Sequence, residues 1–228
     1  MQTKYLKRTL HSPQSTPNAI TFLETGVMPI EFEIHKRQLN YLHKVLTLDN
    51  DDPVKRMYNE LLKYPCAQNW SNEIKTLRCK YNLLETDEEI ESLNKGRWKR
   101  KVKKTIRQSA LTFLNNEKKK LKKCALPEYP KLASQKYLQQ LQPQHARPIF
   151  QIRAGVVDLK SVRKYQYKDT VCRLCNQADE DIEHVANICP KVSRSQSTIE
   201  LPTNDTAQLK ELAQRYLDFT NKVDDLNL

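Results

Sequence analysis

The chain has 228 residues, an apolar fraction of 38% and a mean hydropathy of -0.76, enough for one or two domains with a modest core. Three glycines in the whole sequence argue against a β-sandwich, a Rossmann loop or a phosphate-cradling loop, all of which depend on glycine turns. The formal net charge is +12, and it is concentrated: thirteen basic residues face Glu117 alone between Lys95 and Lys123, while the rest of the chain holds 26 charges of each sign. One segment carrying the entire excess favours a polyanionic partner over a general solubility effect.

No apolar run is long enough for a transmembrane helix, and the first residues lack the apolar stretch of a secretion signal. We therefore expect an intracellular chain, in the nucleus or the cytoplasm, that is not secreted and has no membrane partner. In a reducing compartment a Cys-x2-Cys pair reads as metal or redox chemistry, not as a disulfide. Cys66, Cys79 and Cys124 are scattered singly and are expected to be packing residues.

In chain order, Thr16-Pro17 reads as a helix cap followed by proline at the first helical position, with Gly26 as the stop. This predicts a short helix over 17–25 with Ala19, Ile20 and Leu23 on one face. Pro29 opens a second helix, about 30–48, whose apolar positions are Ile34, Leu42, Val45 and Leu46. Asp52-Pro53 repeats the cap signal, and Val54, Met57, Tyr58, Leu61 and Leu62 then follow the amphipathic template. Ser71 is a candidate cap for a helix over Ile74, Leu77 and Tyr81. Thr86 to Glu89 has the form of a capping box, leading to Ile90 and Leu93, with Gly96 as a possible interruption.

Beyond it, Trp98, Val102, Ile106, Ala110, Phe113 or Leu114, and Leu121 recur at three- and four-residue steps. This is a long helix with a narrow apolar stripe and basic residues over the rest. Four prolines make 124–148 read as a linker around a short helical piece, Leu132 to Leu141. Arg147 to Leu159 is apolar, and periodicity leaves helix and strand open there. A polar stretch at 191–204 precedes a last helix, about 206–219, with Leu209, Leu212, Ala213, Tyr216 and Leu217 on one side.

The most specific pattern is Cys172-x2-Cys175-x8-His184-x4-Cys189. Three thiolates and an imidazole are a donor set that zinc accepts in a tetrahedron. The acidic gap between Cys175 and His184 suits the start of a short helix presenting the histidine. All four positions are filled by protein, so one structural Zn2+ is expected, with no open site for a reactive water. The competing redox reading needs a strand before the motif and a βαβ setting, and neither is legible. For so short and polar a segment, metal binding is expected to supply most of the folding free energy, on the order of 10 kcal/mol.

The basic helix offers two clusters as candidate phosphate contacts. They are Lys99, Arg100, Lys101, Lys103, Lys104 and Arg107, then Lys118, Lys119, Lys120, Lys122 and Lys123. A solvated helix face normally mixes signs, and this one does not, which favours RNA or DNA. The run Arg97 to Lys104 also has the composition of a nuclear localisation signal. Trp98 lies on the apolar stripe and is expected in the core, with base stacking as the alternative.

Catalytic signatures are missing. Asp51-Asp52 reads as a cap and Asp224-Asp225 lies in the polar tail, so neither forms a polymerase hairpin. No HExxH, GxSxG or P-loop pattern occurs. His35 and His43 are expected at or near the surface of a helix, and His11 and His145 in loops. The expectation is a non-enzymatic chain.

Two stretches carry a family resemblance. Thr16-Pro17-Asn18-Ala19-Ile20, continuing through Leu23-Glu24-Thr25-Gly26-Val27-Met28-Pro29-Ile30, with Lys36-Arg37 and Asn40-Tyr41-Leu42-His43, is similar to the segment just after the fingers and palm of non-LTR retrotransposon reverse transcriptases. Ala146-Arg147-Pro148-Ile149-Phe150-Gln151-Ile152-Arg153-Ala154-Gly155-Val156-Val157-Asp158-Leu159-Lys160 resembles the stretch preceding the zinc knuckle in such elements. Tyr167-Lys168-Asp169 and Glu183-His184-Val185 flank the ligands as in that pattern. The resemblance implies a carboxy-terminal, post-polymerase piece without the palm, containing a thumb-like helical part, nucleic-acid contacts and the knuckle.

The expected fold is thus mostly α. A helical, thumb-like nucleic-acid-binding region at 1–123 ends in the basic helix. A linker follows at 124–146, then a pre-knuckle segment and CCHC knuckle at 147–190 and a polar tail at 191–228. The function expected is zinc-dependent binding of RNA or DNA; the alternatives are a protein–protein adaptor or a non-functional retrotransposon fragment.

Overall fold

A computed structural model of the chain describes residues 1–64, 69–121, 129–192, 198–201 and 203–226. The secondary structure is helical, and no strand forms among the described residues; one isolated antiparallel bridge joins Val171 and Asp179. No helix among them is long and apolar enough to cross a membrane. The chain divides into two compact units, one made of Met28–Phe113 and the other of Met1–Val27 with Leu114–Leu228. This division differs from the sequence-based boundaries at 123, 146 and 190, because the first 27 residues belong with the last half of the chain.

The Met28–Phe113 unit contains α3 (Ile30–Leu46), α4 (Pro53–Lys63), α5 (Trp70–Lys80), α6 (Asp87–Ser92) and most of α7 (Lys95–Lys119). Its helix starts follow local chemistry. The Asp52 carboxylate accepts the Val54 N–H at 2.8 Å and Pro53 opens α4. Thr86 and Glu89 form the reciprocal capping box of α6. The cap of α5 is Asn69, whose side chain accepts the Asn72 N–H at 2.9 Å. Ser71, expected in that role, lies inside the helix and donates to the Leu61 carbonyl.

α6 and α7 are separate helices. Gly96 does not cause the break; it sits in the first turn of α7, where its N–H is accepted by the Asn94 side chain at 2.8 Å.

Burial follows the predicted stripe on α7, where Trp98, Val102, Ile106, Ala110 and Leu114 are buried while Phe113 is exposed. Trp98 is a core residue, fully enclosed, with its indole N–H donated to the Leu39 carbonyl at 2.9 Å. His43 is buried too, stacked on Trp98 and bonded to the Leu93 carbonyl at 2.9 Å. On α3 the apolar face runs through Phe32 and Leu39, and Ile34 points out. On α4 only Tyr58 of the predicted stripe is buried; Val54 and Met57 are exposed. A matching period states which face can be buried, and α4 meets its neighbours along one edge of that face.

The other unit is assembled from α1 (Gln2–Thr9), α2 (Asn18–Thr25), the end of α7, α8 (Lys136–Gln140), α9 (Pro143–Ala154) and α10 (Thr206–Leu226). Pro17, not Thr16, occupies the cap position of α2, and the Thr16 hydroxyl is buried with no hydrogen-bond partner among the described residues. Arg147–Ala154 resolves as helix, the latter part of α9, ended by Gly155 in the left-handed region. His145 therefore lies on a helix, buried against Gln214, and not in a loop.

The stretch read as linker contributes Tyr129, Leu132 and Tyr137 to the interior. The last helix is longer than predicted and is no solvated tail. Leu209, Leu212 and Ala213 pack with Ile20, Ile149 and Phe150, and Tyr216, Phe219 and Val223 pack around the cysteine-rich segment.

A buried polar cluster ties α2 to α9. Glu24, fully enclosed at the end of α2, accepts from Arg153 Nε at 2.9 Å, from the Tyr137 hydroxyl at 2.7 Å, and from the Tyr129 hydroxyl. Burial, then the Glu24 carboxylate, pushes both phenols well above their ordinary value, so they stay protonated donors. Gly26 makes the close approach possible. Its φ is +68°, and a Cβ there would lie 2.1 Å from the Ser134 nitrogen.

Candidate metal centre and basic helix face

The four predicted ligands come together. Cys172, Cys175, His184 and Cys189 present ligand atoms that all lie within 4.8 Å of one another. Cys172 Sγ is 4.0 Å from Cys189 Sγ, and Cys175 Sγ is 3.2 Å from His184 Nε2.

Each ligand is placed by local backbone chemistry. Residues 170–180 form a short ribbon, with Cys172 N–H donating to Ala178 at 2.8 Å and Glu180 N–H to Thr170 at 2.6 Å. Within it, Asn176 N–H closes on the Cys172 carbonyl at 3.0 Å, and Asn176 takes a left-handed φ of 56°. That turn aims both thiols of the Cys-x2-Cys at one point. The acidic gap does start a helical turn: the Asp181 carboxylate accepts the His184 N–H at 2.8 Å.

The turn His184–Ile188 is a π-helix, with Cys189 N–H donating to the His184 carbonyl at 2.7 Å. On an α-helix, residues five apart point about 140° away from each other. The i to i+5 hydrogen bond widens the turn and lets His184 and Cys189 face the same centre. The five-residue step was itself a signal of this geometry.

Crowding of the thiols has an electrostatic cost. Burial raises Cys172 above its ordinary value, and burial together with the neighbouring cysteines pushes Cys189 up to about 12. Burial acts the same way on Cys175, yet the Gln177 N–H and the other groups donating to its sulfur hold it below the usual thiol value. A divalent cation removes that cost, since thiolates bind it as anions. The residues fit a single tetrahedral metal ion, with three sulfurs, one imidazole and no open position.

Sequence reasoning missed what holds this centre in place. Arg173, between the two cysteines, donates from Nη2 to the fully buried Glu180 at 2.6 Å and from Nη2 to the Asp158 carbonyl at 2.9 Å. Glu180 also accepts the backbone N–H of Arg173 and of Lys160, at 2.9 and 3.1 Å. Burial opposes the Arg173 charge, but Glu180 outweighs it and holds the guanidinium protonated. The same guanidinium lies over the rings of Tyr167 and Phe219, at 5.2 and 5.8 Å. The metal segment is thus set into a core shared with α10 (Val157, Leu159, Val185, Val192, Tyr216 and Phe219).

The basic residues do not form one uniform row. Lys99, Arg100, Lys101, Lys103, Lys104 and Arg107 are exposed on the part of α7 in the Met28–Phe113 unit. Lys101 pairs with Glu85, whereas Lys99, Arg100, Lys103 and Lys104 have no carboxylate partner among the described residues. Further along α7, Lys118 is 4% exposed and lies 5.6 Å from the centre of the Tyr129 ring, so it is withdrawn from solvent. Lys119 and Lys120 are exposed, the latter paired with Glu117. Lys122, Lys123, Cys66 and Cys124 lie outside the described residues. Cys79, expected to pack, is exposed. No family model, no curated protein and no solved structure matches the chain.

Proposed function

We propose that the chain is a nucleic-acid-binding module in which one zinc ion, held by Cys172, Cys175, His184 and Cys189, fixes the local fold and α7 contacts phosphates. The observation that carries this reading is the exposed, single-sign face of α7. Lys99, Lys103 and Arg107 recur at four-residue steps, with Arg100 and Lys104 on the adjoining row. From Lys99 to Arg107 the row covers roughly 12 Å, matching three to four phosphate steps at about 3.4 Å per strand. Zinc is the metal of choice because sulfur-rich tetrahedral sites select it and no ligand position is left for catalysis. The resemblance of residues 16–43 and 146–190 to the post-polymerase region of non-LTR retrotransposon reverse transcriptases supports the same reading, with the helices acting as a thumb-like part.

The test is binding of a labelled RNA stem-loop and a DNA duplex at two salt concentrations. With about five phosphate contacts, log affinity for the duplex falls with log salt at a slope of roughly −4 to −5. A flat salt response, or unchanged binding by Lys99→Glu/Lys103→Glu, sinks the proposal. A protein–protein adaptor is the second reading, favoured by the exposed Val54 and Met57 on α4.

A further inference from the structure

Away from the cysteines and the exposed face of α7, the discontinuous unit contains a cavity of about 520 Å³ beside the Glu24–Arg153 cluster. Its walls include Lys131, Lys136, Arg153 and Asn204, together with Tyr129 and Tyr137, and no carboxylate lines it among the described residues. Lys131 and Lys136 are exposed and have no ion-pair partner among the described residues. Arg153, whose side chain is 9% exposed, gives Nε to Glu24 and Nη1 to Asn204 at 3.1 Å. Its Nη2 makes no hydrogen bond among the described residues. Burial works against the Arg153 charge, and Glu24 more than offsets it, so the guanidinium is fixed in its charged form.

From these features we propose that the cavity binds the phosphate of a nucleotide. Two exposed ammonium groups and a guanidinium, whose Nε is held by Glu24 while Nη2 stays available, line the same cavity, a donor set that a phosphate dianion takes. The volume exceeds what inorganic phosphate fills, and the remaining wall mixes Pro130, Ala133 and Leu209 with Ser134, Gln135 and Gln139, suited to a sugar and base. A free mononucleotide and the phosphorylated end of a strand share this chemistry. The site rests on the nucleic-acid reading only for the second source.

Calorimetric titration of the full chain with adenosine monophosphate, adenosine and inorganic phosphate tests it. Adenosine monophosphate binds, and adenosine binds at least about tenfold more weakly. Lys131→Ala/Lys136→Ala, which alters two exposed side chains, lowers affinity for adenosine monophosphate about tenfold or more with the melting temperature unchanged. Arg153→Lys keeps the charge but not the fork, and weakens binding with folding checked by circular dichroism. No heat with adenosine monophosphate, equal binding of adenosine, or parent-like affinity of the double lysine variant overturns the proposal.

An oligonucleotide with and without a 5′ phosphate, measured on Lys99→Glu/Lys103→Glu, distinguishes the sources. Preference for the phosphorylated end assigns the site to strand termini, and no preference with mononucleotide binding retained assigns it to free nucleotides. The same α7 variant separates the two readings, because loss of duplex binding with mononucleotide binding intact leaves the cavity standing alone.

Discussion

The two units solve the same problem, hiding a small apolar fraction, by different means. Met28–Phe113 is continuous in sequence, with α4, α5 and α6 begun at side-chain caps and Trp98 and Ile106 in its interior. The other unit joins two distant stretches. The buried pair Glu24–Arg153 spans them, and within the later stretch Arg173 with Glu180 and a four-ligand cluster tie the metal segment together. In the first unit the starts of those three helices are fixed by local side-chain caps. In the second, Glu24 depends on a partner far along the chain, so losing one member of that pair should be more costly.

The largest expected effect is metal removal. Chelation withdraws binding energy on the order of 10 kcal/mol from the 171–192 segment. Hydrogen exchange should then show the amides of Cys172, Asn176, Glu180 and Cys189 losing protection, while those in α3 and α5 keep theirs. Equal loss in both units would erase the contrast drawn above. Next comes Arg153→Leu, which strands the Glu24 carboxylate in the interior and should cost about 3–5 kcal/mol in urea unfolding. Converting both partners, Glu24→Leu with Arg153→Leu, should recover part of that loss, because no unpaired charge remains.

The smallest effects compare two cap signals directly. Asp52→Ala should cost about 1 kcal/mol. Thr16→Val, which replaces a buried hydroxyl without a partner, should be neutral or stabilising by up to about 1 kcal/mol in thermal unfolding. A loss at Thr16 equal to that at Asp52 would restore the cap role that the sequence suggested.

These pairs also mark how far the sequence could be read. Asp52, Thr86 and Glu89 were legible because a cap is made by residues two or three apart. The metal ligands were legible because cysteines are few and their spacing is restrictive. Glu24 and Arg153 left no such trace: nothing local distinguishes a glutamate destined for the interior from one on the surface. α10 was underestimated because Val223 continues its apolar row past the expected end at 219. Lys118 shows the same limit from the other side. Its charge reads as part of a basic run, but its position one turn after Leu114 points it inward against Tyr129.

The bond between Glu24 and Arg153 also sets an order of events during synthesis. At about 5–20 residues per second, Arg153 leaves the ribosome on the order of ten seconds after Glu24. For that interval the Glu24 carboxylate has no guanidinium partner, and Met28–Phe113 is complete before Arg153 appears. The middle of the chain can therefore complete its packing before the beginning does. The first 27 residues are the part that must be kept from premature association until the final helix arrives.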